Sequence, residues 1–228
     1  MISVIIPTLN ESGALPRLLG ALHRQGGVAC EVIVADGGSH DDTVRIAQQW
    51  DCKVVRAAPG RGQQLSAGSA VATGDILLFL HADSVFPESG LQAINRHLQR
   101  DRGLIGGNFR LTFDGNDDFS DWLNGFYATI RARGIYYGDS GIFIRSETFT
   151  KIGGIKPIAL MEDYCLVRRM EKVGRTCCID EPGLVTSSRR FLGRRKYAII
   201  FGWLRIHALF YLRINPDRLA RIYNSTRQ

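Results

Sequence analysis

Polar side chains that can bind a ligand follow two apolar segments near the start of the chain. Residues 2–7 and 31–36 are apolar enough for buried strands, and each segment leads through polar or glycine-rich turn residues into a helix. In an open parallel sheet, ligands bind at the carboxyl ends of the strands. The sequence therefore predicts one pocket at one edge of a sheet. Five side chains face it: Thr8, Asn10, Glu11, Asp36 and Ser39.

Two adjacent acids, Glu162 and Asp163, open a later helix. They follow a loop that contains Gly153, Gly154 and Pro157. Adjacent residues on a helix point about 100° apart, so we expect only one of the two acids to face a pocket. Acids are also favoured at any helix N-terminus by the helix dipole, which gives the pair a purely structural alternative.

A glycine-rich turn, residues 59–62, leads into another helix. Its Arg61 can reach a base carbonyl or a phosphate. Gly68 and Ala67 permit a close approach of the helix backbone to a ligand or to a strand. The structural alternative is a surface loop with a solvated arginine.

These residues must be positioned by alternating strands and helices. Strand candidates in the first hundred residues are 2–7, 31–36, 52–56 and 75–81, with helical patterns at 15–22, 43–50, 63–72 and 88–100. Beyond residue 103, strands are predicted at 106–113, 141–145, 176–180 and 184–187, and helices at 118–132 and 161–173. This alternation predicts an α/β fold with a mainly parallel central sheet and helices on both faces.

Length and charge predict one domain with a basic extension. The chain has 228 residues, enough for one full domain and short for two. Residues 186–228 hold ten Lys or Arg and one acid, a net charge of +9, whereas the remaining 185 residues carry −2. The five cysteines, an odd number without zinc-finger spacing, indicate reduced structural thiols of a cytosolic protein. No signal peptide is expected.

An apolar run of 16 residues, 197–212, lies within this extension. It is shorter than the roughly 20 residues that span a bilayer, and Arg205 and His207 interrupt it. We hypothesise a helix that lies in an anionic membrane surface; packing on the domain or on another subunit, as in a homodimer, is the equal alternative. Nucleic acid is not an expected partner, because no aromatic-basic RNA motif or zinc finger accompanies the charge.

Taken together, the ordered strand ends resemble those of the family 2 glycosyltransferases, whose nucleotide-sugar-binding fold is called GT-A. The likeness rests on the segments ending at Glu11 and Ser39, on His81-Ala82-Asp83, and on Glu162-Asp163. It covers residues 1 to about 190, which implies a GT-A domain over 1–190 and an apolar, basic, helical extension over 191–228. The short chain looks most similar to a small bacterial subfamily sometimes named for arsenosugar biosynthesis.

The resemblance implies a site for a nucleotide-diphospho-sugar, with a UDP-sugar favoured. In that family an Asp like Asp36 contacts the base or ribose of the donor. The likeness extends the donor contacts to a larger set: Pro7, Thr8, Asn10, Glu11, Ser39, Arg61, Gly68, His81, Ala82, Asn108 and Asp139.

His81-Ala82-Asp83 resembles the metal-binding Asp-x-Asp motif of GT-A enzymes, with His81 in place of the first Asp. This implies Mn²⁺ or Mg²⁺ held by Asp83, because a divalent cation neutralises the charge of a diphosphate leaving group. His81 is the second candidate ligand, although it can also contact phosphate or simply turn the chain. The structural alternative for Asp83 is an N-cap-type residue ahead of Pro87.

For catalysis, the resemblance implies an inverting transfer with Asp163 as the general base and Glu162 as a supporting or acceptor contact. The base takes a proton from the acceptor hydroxyl as that hydroxyl attacks the anomeric carbon. The rival function is a non-catalytic nucleotide-sugar-binding or scaffold protein in which His81 has weakened metal use. A nucleotidyltransferase is disfavoured, since its glycine-rich phosphate loop is missing. Residues 186–191 do not match the Gln-x-x-Arg-Trp motif, so processive polymer synthesis is not expected.

Overall fold

A twisted sheet forms the centre of the molecule. The computed structural model describes residues 1–115, 117–186 and 196–225. Its strands are β1 (Ile2–Thr8), β2 (Cys30–Asp36), β3 (Lys53–Arg56), β4 (Ile76–Phe79), β5 (Leu104–Phe113), β6 (Ile142–Arg145) and β7 (Arg175–Thr186). Within those residues they form one seven-stranded sheet in the order β3-β2-β1-β4-β6-β5-β7.

Helices connect the strands and cover them. They are α1 (Leu15–His23), α2 (Thr43–Gln49), α3 (Arg61–Ala70), α4 (Gly90–Arg100), α5 (Asp118–Arg131), α6 (Ser146–Lys151), α7 (Glu162–Val173), α8 (Lys196–Tyr211) and α9 (Pro216–Ser225). A single 3₁₀ turn, Gly138–Ser140, precedes β6.

The pairing of the strands aligns the carboxyl ends that carry the candidate residues. β1 to β4 are mutually parallel, whereas β6 runs antiparallel to both β4 and β5. Thr8 at the end of β1 is in register with Asp36, which is in register with Arg56 of β3. The expected mainly parallel α/β fold is confirmed, and its strand ends form one edge.

The core is divided by the sheet into two apolar layers. Successive residues of a strand point to opposite faces. Accordingly, Val4 and Ile6 of β1 pack into the layer under α1 and α4, while Ile5 packs into the layer under α3 and α7. Because both faces are covered, strands β1 and β4 are nearly continuous apolar runs.

Several boundaries differ from the sequence prediction. The two strands expected at 176–180 and 184–187 are one strand, β7, whose register shifts opposite Phe109–Leu111. Pro182 lies in this irregular part, and β7 is an edge strand of the described sheet, where a residue without an N–H is tolerated. α4 begins at Gly90 rather than directly after Pro87. The motif comparison at residues 187–191 lies outside the described residues.

The C-terminal helices pack on the domain. Ile206 of α8 joins Met161 and Tyr164 in a small apolar cluster. The indole of Trp203 stacks on Phe126, with 5.5 Å between the ring centroids. Of the alternatives for the 197–212 run, packing on the chain's own domain is therefore observed for one side of the helix. In the described part of the chain, every helix falls short of the length and apolarity required to cross a membrane.

Candidate functional site

Hydrogen bonds join the loops that follow β1 and β2. The backbone N–H of Gly37 donates to the Thr8 carbonyl (2.9 Å). The N–H of Asn10 donates to Ser39 Oγ, and Asn10 Oδ1 accepts from the N–H of His40, each at 2.9 Å. Asn10 has a φ of 56°, the left-handed region that asparagine tolerates better than most residues. The structure thus brings Thr8, Asn10 and Ser39 to one edge, as the sequence predicts.

The Asp36 carboxylate is fixed at that edge. It accepts hydrogen bonds from the N–H of Gly38 (3.0 Å), the N–H of Ser39 (3.1 Å) and Ser39 Oγ (2.5 Å). Beneath it, the Gln64 side chain donates to the carbonyls of Thr8 (2.5 Å) and Ala35 (3.1 Å). Sequence reasoning missed Gln64, which ties α3 to the ends of two strands.

A second group of carboxylates lies where β1 and β4 end. Asp83 is exposed in the turn closed by a hydrogen bond from Ser84 N–H to the His81 carbonyl (3.1 Å). Glu11 is half-buried nearby, and burial together with Asp83 and Asp41 raises its pKa. Uncompensated negative charge at this edge favours a bound cation. Pro7 and Ala82 lie in the adjoining backbone, Ala82 with its side chain buried.

The side chains near Asp83 supply only part of a metal-binding site. Across residues 1–115, 117–186 and 196–225, no three His, Cys, Asp or Glu side chains are grouped to hold a metal ion. Mg²⁺ is often bound by one or two carboxylates together with substrate phosphates. Asp83, with its exposed carboxylate, suits such a shared site, and the phosphates of a donor would complete it.

The acidic pair at the start of α7 is buried against an arginine. Glu162 is 0% and Asp163 6% exposed. Arg61, the first residue of α3, donates through Nε to Glu162 Oε1, and its Nη2 lies 3.4 Å from Asp163 Oδ2. Arg61, which the sequence left as a ligand-binding or solvated side chain, therefore faces both acids across the carboxyl edge of the sheet.

The contacts of Asp163 favour its ionised form. Its Oδ2 accepts from the N–H of Gly138 (2.9 Å) and its Oδ1 from the N–H of Tyr164 (2.7 Å). Burial alone would raise its pKa, but Arg61 and these N–H groups outweigh burial and hold the pKa below its ordinary value. For Glu162 the balance is reversed, since burial raises its pKa more than Arg61 lowers it. Neighbouring acids with opposite shifts are typical of acid–base sites.

His81 is turned toward Asp163. A Cβ built on Gly138 would lie 3.1 Å from His81 Nε2 and 3.2 Å from Asp163 Oδ2, so both groups flank the same glycine. The proximity of His81 also lowers the pKa of Asp163. Gly138 thereby gives room for the imidazole beside the carboxylate.

A cavity of about 90 Å³ joins these groups to the C-terminal helices. Its polar lining is Arg61, His81, Asp139 and Asp163. Asp139 is buried and accepts a hydrogen bond from the hydroxyl of Tyr127 (3.3 Å). The structure thus brings four of the predicted residues to one enclosed space.

The rest of the cavity wall was missed from the sequence. It consists largely of aromatic residues: Tyr127, Tyr137, Trp203, His207 and Tyr223. His207 Nε2 lies 3.1 Å from the hydroxyl of Tyr137, and its Nδ1 lies 2.9 Å from the Trp203 carbonyl oxygen. A polar residue inside an apolar run was the available signal, because His207 interrupts residues 197–212.

Two predicted donor contacts lie elsewhere. Asn108 is buried in β5, where its Oδ1 accepts from Arg131 Nε (2.5 Å) and its side chain lines a different cavity of about 230 Å³. Gly68 faces the middle of the sheet: a Cβ there would lie 2.6 Å from Ile5 Cγ2. Of the alternatives for Gly68, close approach to a strand is the one observed.

Comparison with known proteins relates this chain to a family. The model of glycosyl transferase family 2 matches residues 3–150. A 4,4'-diaponeurosporenoate glycosyltransferase of Staphylococcus haemolyticus is 36% identical over 115 residues, covering 46% of this chain and 30% of that protein. The chain spans less than two thirds of the length of the first curated relatives that it matches.

Solved structures share the fold. The mannosyltransferase of Pyrobaculum calidifontis in complex with GDP-Man and Mn²⁺ superposes with a TM-score of 0.68 at 20% identity, covering 98% of this chain and 68% of that one. Glucosyl-3-phosphoglycerate synthase of Mycobacterium tuberculosis, in complex with Mn²⁺, UDP and glucosyl-3-phosphoglycerate, gives 0.62 at 19% identity, covering 92% and 78%. Fold and family model agree: the chain belongs to glycosyl transferase family 2 and has the GT-A fold.

Proposed function

We propose that this protein is an inverting glycosyltransferase that moves a sugar from a nucleotide-diphospho-sugar to an acceptor hydroxyl, with Asp163 as general base. One observation carries the proposal: the Asp163 carboxylate, which accepts two backbone N–H groups, lines a cavity beside the carboxyl ends of the parallel strands. Substrates of open α/β sheets bind at that edge.

Two observations support a nucleotide-diphospho-sugar as the donor: the polar turn at the carboxyl edge of the sheet, and the ligands of solved structures with the same fold. Asp36 and Ser39 form a rigid polar turn that suits the base or ribose of a nucleotide. Structures with the same fold contain GDP-Man in one case and UDP in another, both with Mn²⁺. A UDP-sugar is our first choice of donor, and Arg61, which is paired with the two acids, lies on the wall of the cavity beside which the phosphates of that donor would bind.

The proposed chemistry needs one base and no covalent intermediate. Asp163 takes the proton of the acceptor hydroxyl while that oxygen attacks the anomeric carbon, and the bond from this carbon to the diphosphate oxygen breaks on the opposite face. The configuration at the anomeric carbon is thereby inverted. Tyr137 and Trp203 line the cavity, and with substrates bound they would keep water from the reacting groups.

A divalent cation belongs to this proposal. Mn²⁺ or Mg²⁺, when bound, neutralises the charge of the departing diphosphate. Asp83 would hold it, with His81 as the second candidate from this chain. We also propose that the protein acts in the cytoplasm at the inner membrane surface.

A calorimetric screen tests donor and metal together. UDP-, GDP- and dTDP-sugars are titrated with Mn²⁺ and with EDTA, and we expect at least one nucleotide sugar to bind more tightly with Mn²⁺. Asp83→Ala should weaken binding about tenfold or more in Mn²⁺ and leave it unchanged in EDTA, because a carboxylate ligand acts only through the ion.

Glu88→Ala is the matched control, since Glu88 is an exposed acid of the same loop. It should bind as the wild type does. Equal losses for Asp83→Ala in Mn²⁺ and in EDTA would exclude Asp83 as a ligand. If none of the nucleotide sugars binds under either condition, the proposed function is wrong.

A further inference from the structure

The outer face of α8 is apolar and exposed. Four large side chains along the helix are mostly open to solvent: Tyr197 at 84%, Phe201 at 69%, Leu204 at 63% and Leu212, just beyond the helix, at 72%. At 3.6 residues per turn, their spacing places them on one side of the helix. Ala208 is also exposed on this side. We call this set the outer face of α8.

The opposite side of α8 is apolar as well. Ile199 and Ile206 are buried, and Trp203 stacks on Phe126. A helix that is apolar all round is normally buried all round. The domain covers only the inner side, so the outer face of α8 has the composition of a contact surface without its partner. Exposed apolar patches of this kind mark interaction sites.

Exposed arginines lie on the outer face of α8 and follow it in the sequence. Arg205 lies on this side of the helix, one residue from Leu204, and is exposed. Arg213, Arg218 and Arg221 follow it and are exposed too. Over residues 196–225 the sequence contains a single acid, Asp217, against five basic residues. The partner of this surface must therefore accept apolar side chains and compensate arginines.

The positive charge favours a membrane over a second copy of the chain as the partner of the outer face of α8. In a two-fold dimer the same patch meets itself, which would bring the arginines of one copy toward those of the other. A bilayer with anionic phospholipids supplies both an apolar interior and negative headgroups. We propose that the outer face of α8 binds the surface of an anionic bilayer, with Phe201 and Leu204 entering the acyl boundary and the arginines contacting phosphates.

Vesicle co-sedimentation of the full chain tests this proposal without any activity measurement, so that its outcome is independent of the catalytic proposal. The vesicles contain phosphatidylcholine alone or phosphatidylcholine with phosphatidylglycerol. We expect binding to the mixed vesicles at low salt, much weaker binding to phosphatidylcholine alone, and a steep loss of binding as salt is raised.

Two variants separate the apolar and the charged contributions. Phe201→Ser combined with Leu204→Ser should lower the partition coefficient at least about tenfold, because two large side chains no longer enter the bilayer. Arg205→Ala should lower it about fivefold at low salt, since one basic contact is lost. Val173→Ser and Arg96→Ala are the controls, because Val173 and Arg96 are exposed on other helices, and both should bind as the wild type does.

A second measurement is needed because the serine variants could lose binding through misfolding. Phe201→Trp places a fluorophore on the outer face of α8, and brominated acyl chains should quench its added emission. Absence of binding at low salt, absence of this quenching, or wild-type binding by the double serine variant would each overturn the proposal. So would a dimer, detected by light scattering, that the double serine variant dissociates, because the face would then be a subunit contact.

Discussion

Glu162 and Asp163 are neighbours in sequence, yet their surroundings give them different protonation behaviour. Both are buried beside Arg61, but Asp163 also accepts two backbone N–H groups. In Glu162, Oε2 is buried and makes no hydrogen bond. Hydrogen-bond donors favour the charged form of a carboxyl and burial favours the neutral one; in Asp163 the donors outweigh burial, and in Glu162 burial outweighs them. The geometry therefore suits Asp163 to accept a proton and Glu162 to anchor Arg61.

Replacing the base should remove transfer and spare donor binding. Asp163→Asn keeps the shape of the side chain but loses the proton-accepting oxygen, so we expect the rate of sugar transfer to fall about 10²–10⁴-fold. Donor affinity, measured by calorimetry, should remain close to that of the wild type. Near-normal turnover by Asp163→Asn would move the role of base to another residue.

The pH profile distinguishes the two acids as candidates for the base. A base must be deprotonated, so its rate falls as pH drops through its pKa. Burial opposes the ionisation of Asp163, but Arg61 and two backbone N–H groups hold its pKa below the ordinary value, so a base at Asp163 should keep its activity as the pH falls from neutral into the weakly acidic range. Burial raises the pKa of Glu162, so a base at Glu162 would lose activity at a higher pH than one at Asp163. Glu162→Gln is the control, and it should keep the profile level.

At the scale of elements, α3 positions the arginine. Gly62 follows Arg61, and a Cβ at Gly62 would lie 2.4 Å from the Ile158 carbonyl oxygen and 2.8 Å from that of Lys156. Only a glycine lets the first turn of α3 approach the 156–158 backbone so closely. This approach brings Arg61 within reach of the acids that open α7.

Two glycine-to-alanine substitutions should therefore have opposite effects on stability. Gly62→Ala forces a clash with backbone and should lower the free energy of unfolding by about 1–3 kcal/mol. Gly125 lies in α5 with no atom within 4 Å of an added Cβ, so Gly125→Ala should raise it by about 0.5–1 kcal/mol. Urea denaturation measures both. A stable Gly62→Ala would mean that the two segments move apart easily.

Single elements could be predicted from the sequence, whereas contacts between distant elements could not. Strand and helix patterns along the chain made strands β1 to β4 and their common edge predictable, because these patterns are local, whereas the order of the strands in the sheet was not predicted. The pairing of Arg61 with Glu162, 101 residues away, has no local signal. The side of α8 that contacts the domain could not be predicted either, because both sides of this helix are apolar in sequence. Gly68 and Asn108 were assigned to the donor although packing explains their positions.

For the whole molecule, the extension is expected to act as part of the fold. The sequence predicted a domain over 1–190 with a C-terminal extension over 191–228, and α8 and α9 in this extension contain the buried residues Ile199, Ile206 and Leu219. A chain ending at Thr186 would expose the surface that these residues cover. We expect its thermal midpoint to fall by about 4–8 °C for each 2 kcal/mol by which the free energy of unfolding decreases. Binding of a hydrophobic dye should increase.

The control is a chain that ends at Ser225, which keeps both helices. Its midpoint should equal that of the full chain. If the chain ending at Thr186 unfolds at the wild-type temperature and keeps donor binding, then residues 1–190 form an independent domain and the extension is an addition to it.

The two sides of α8 face different surroundings, and this bears on how an acceptor would reach the cavity. Trp203 and His207 on the inner side of α8 line the cavity of Asp163, while Phe201 and Leu204 face outward. A helix is about 10–12 Å across, so on a bilayer the reacting carboxylate would lie roughly one helix width from the lipid. An acceptor dissolved in the membrane would then reach the enzyme by lateral diffusion in two dimensions. The transfer rate would follow the surface density of the acceptor rather than its concentration in bulk water.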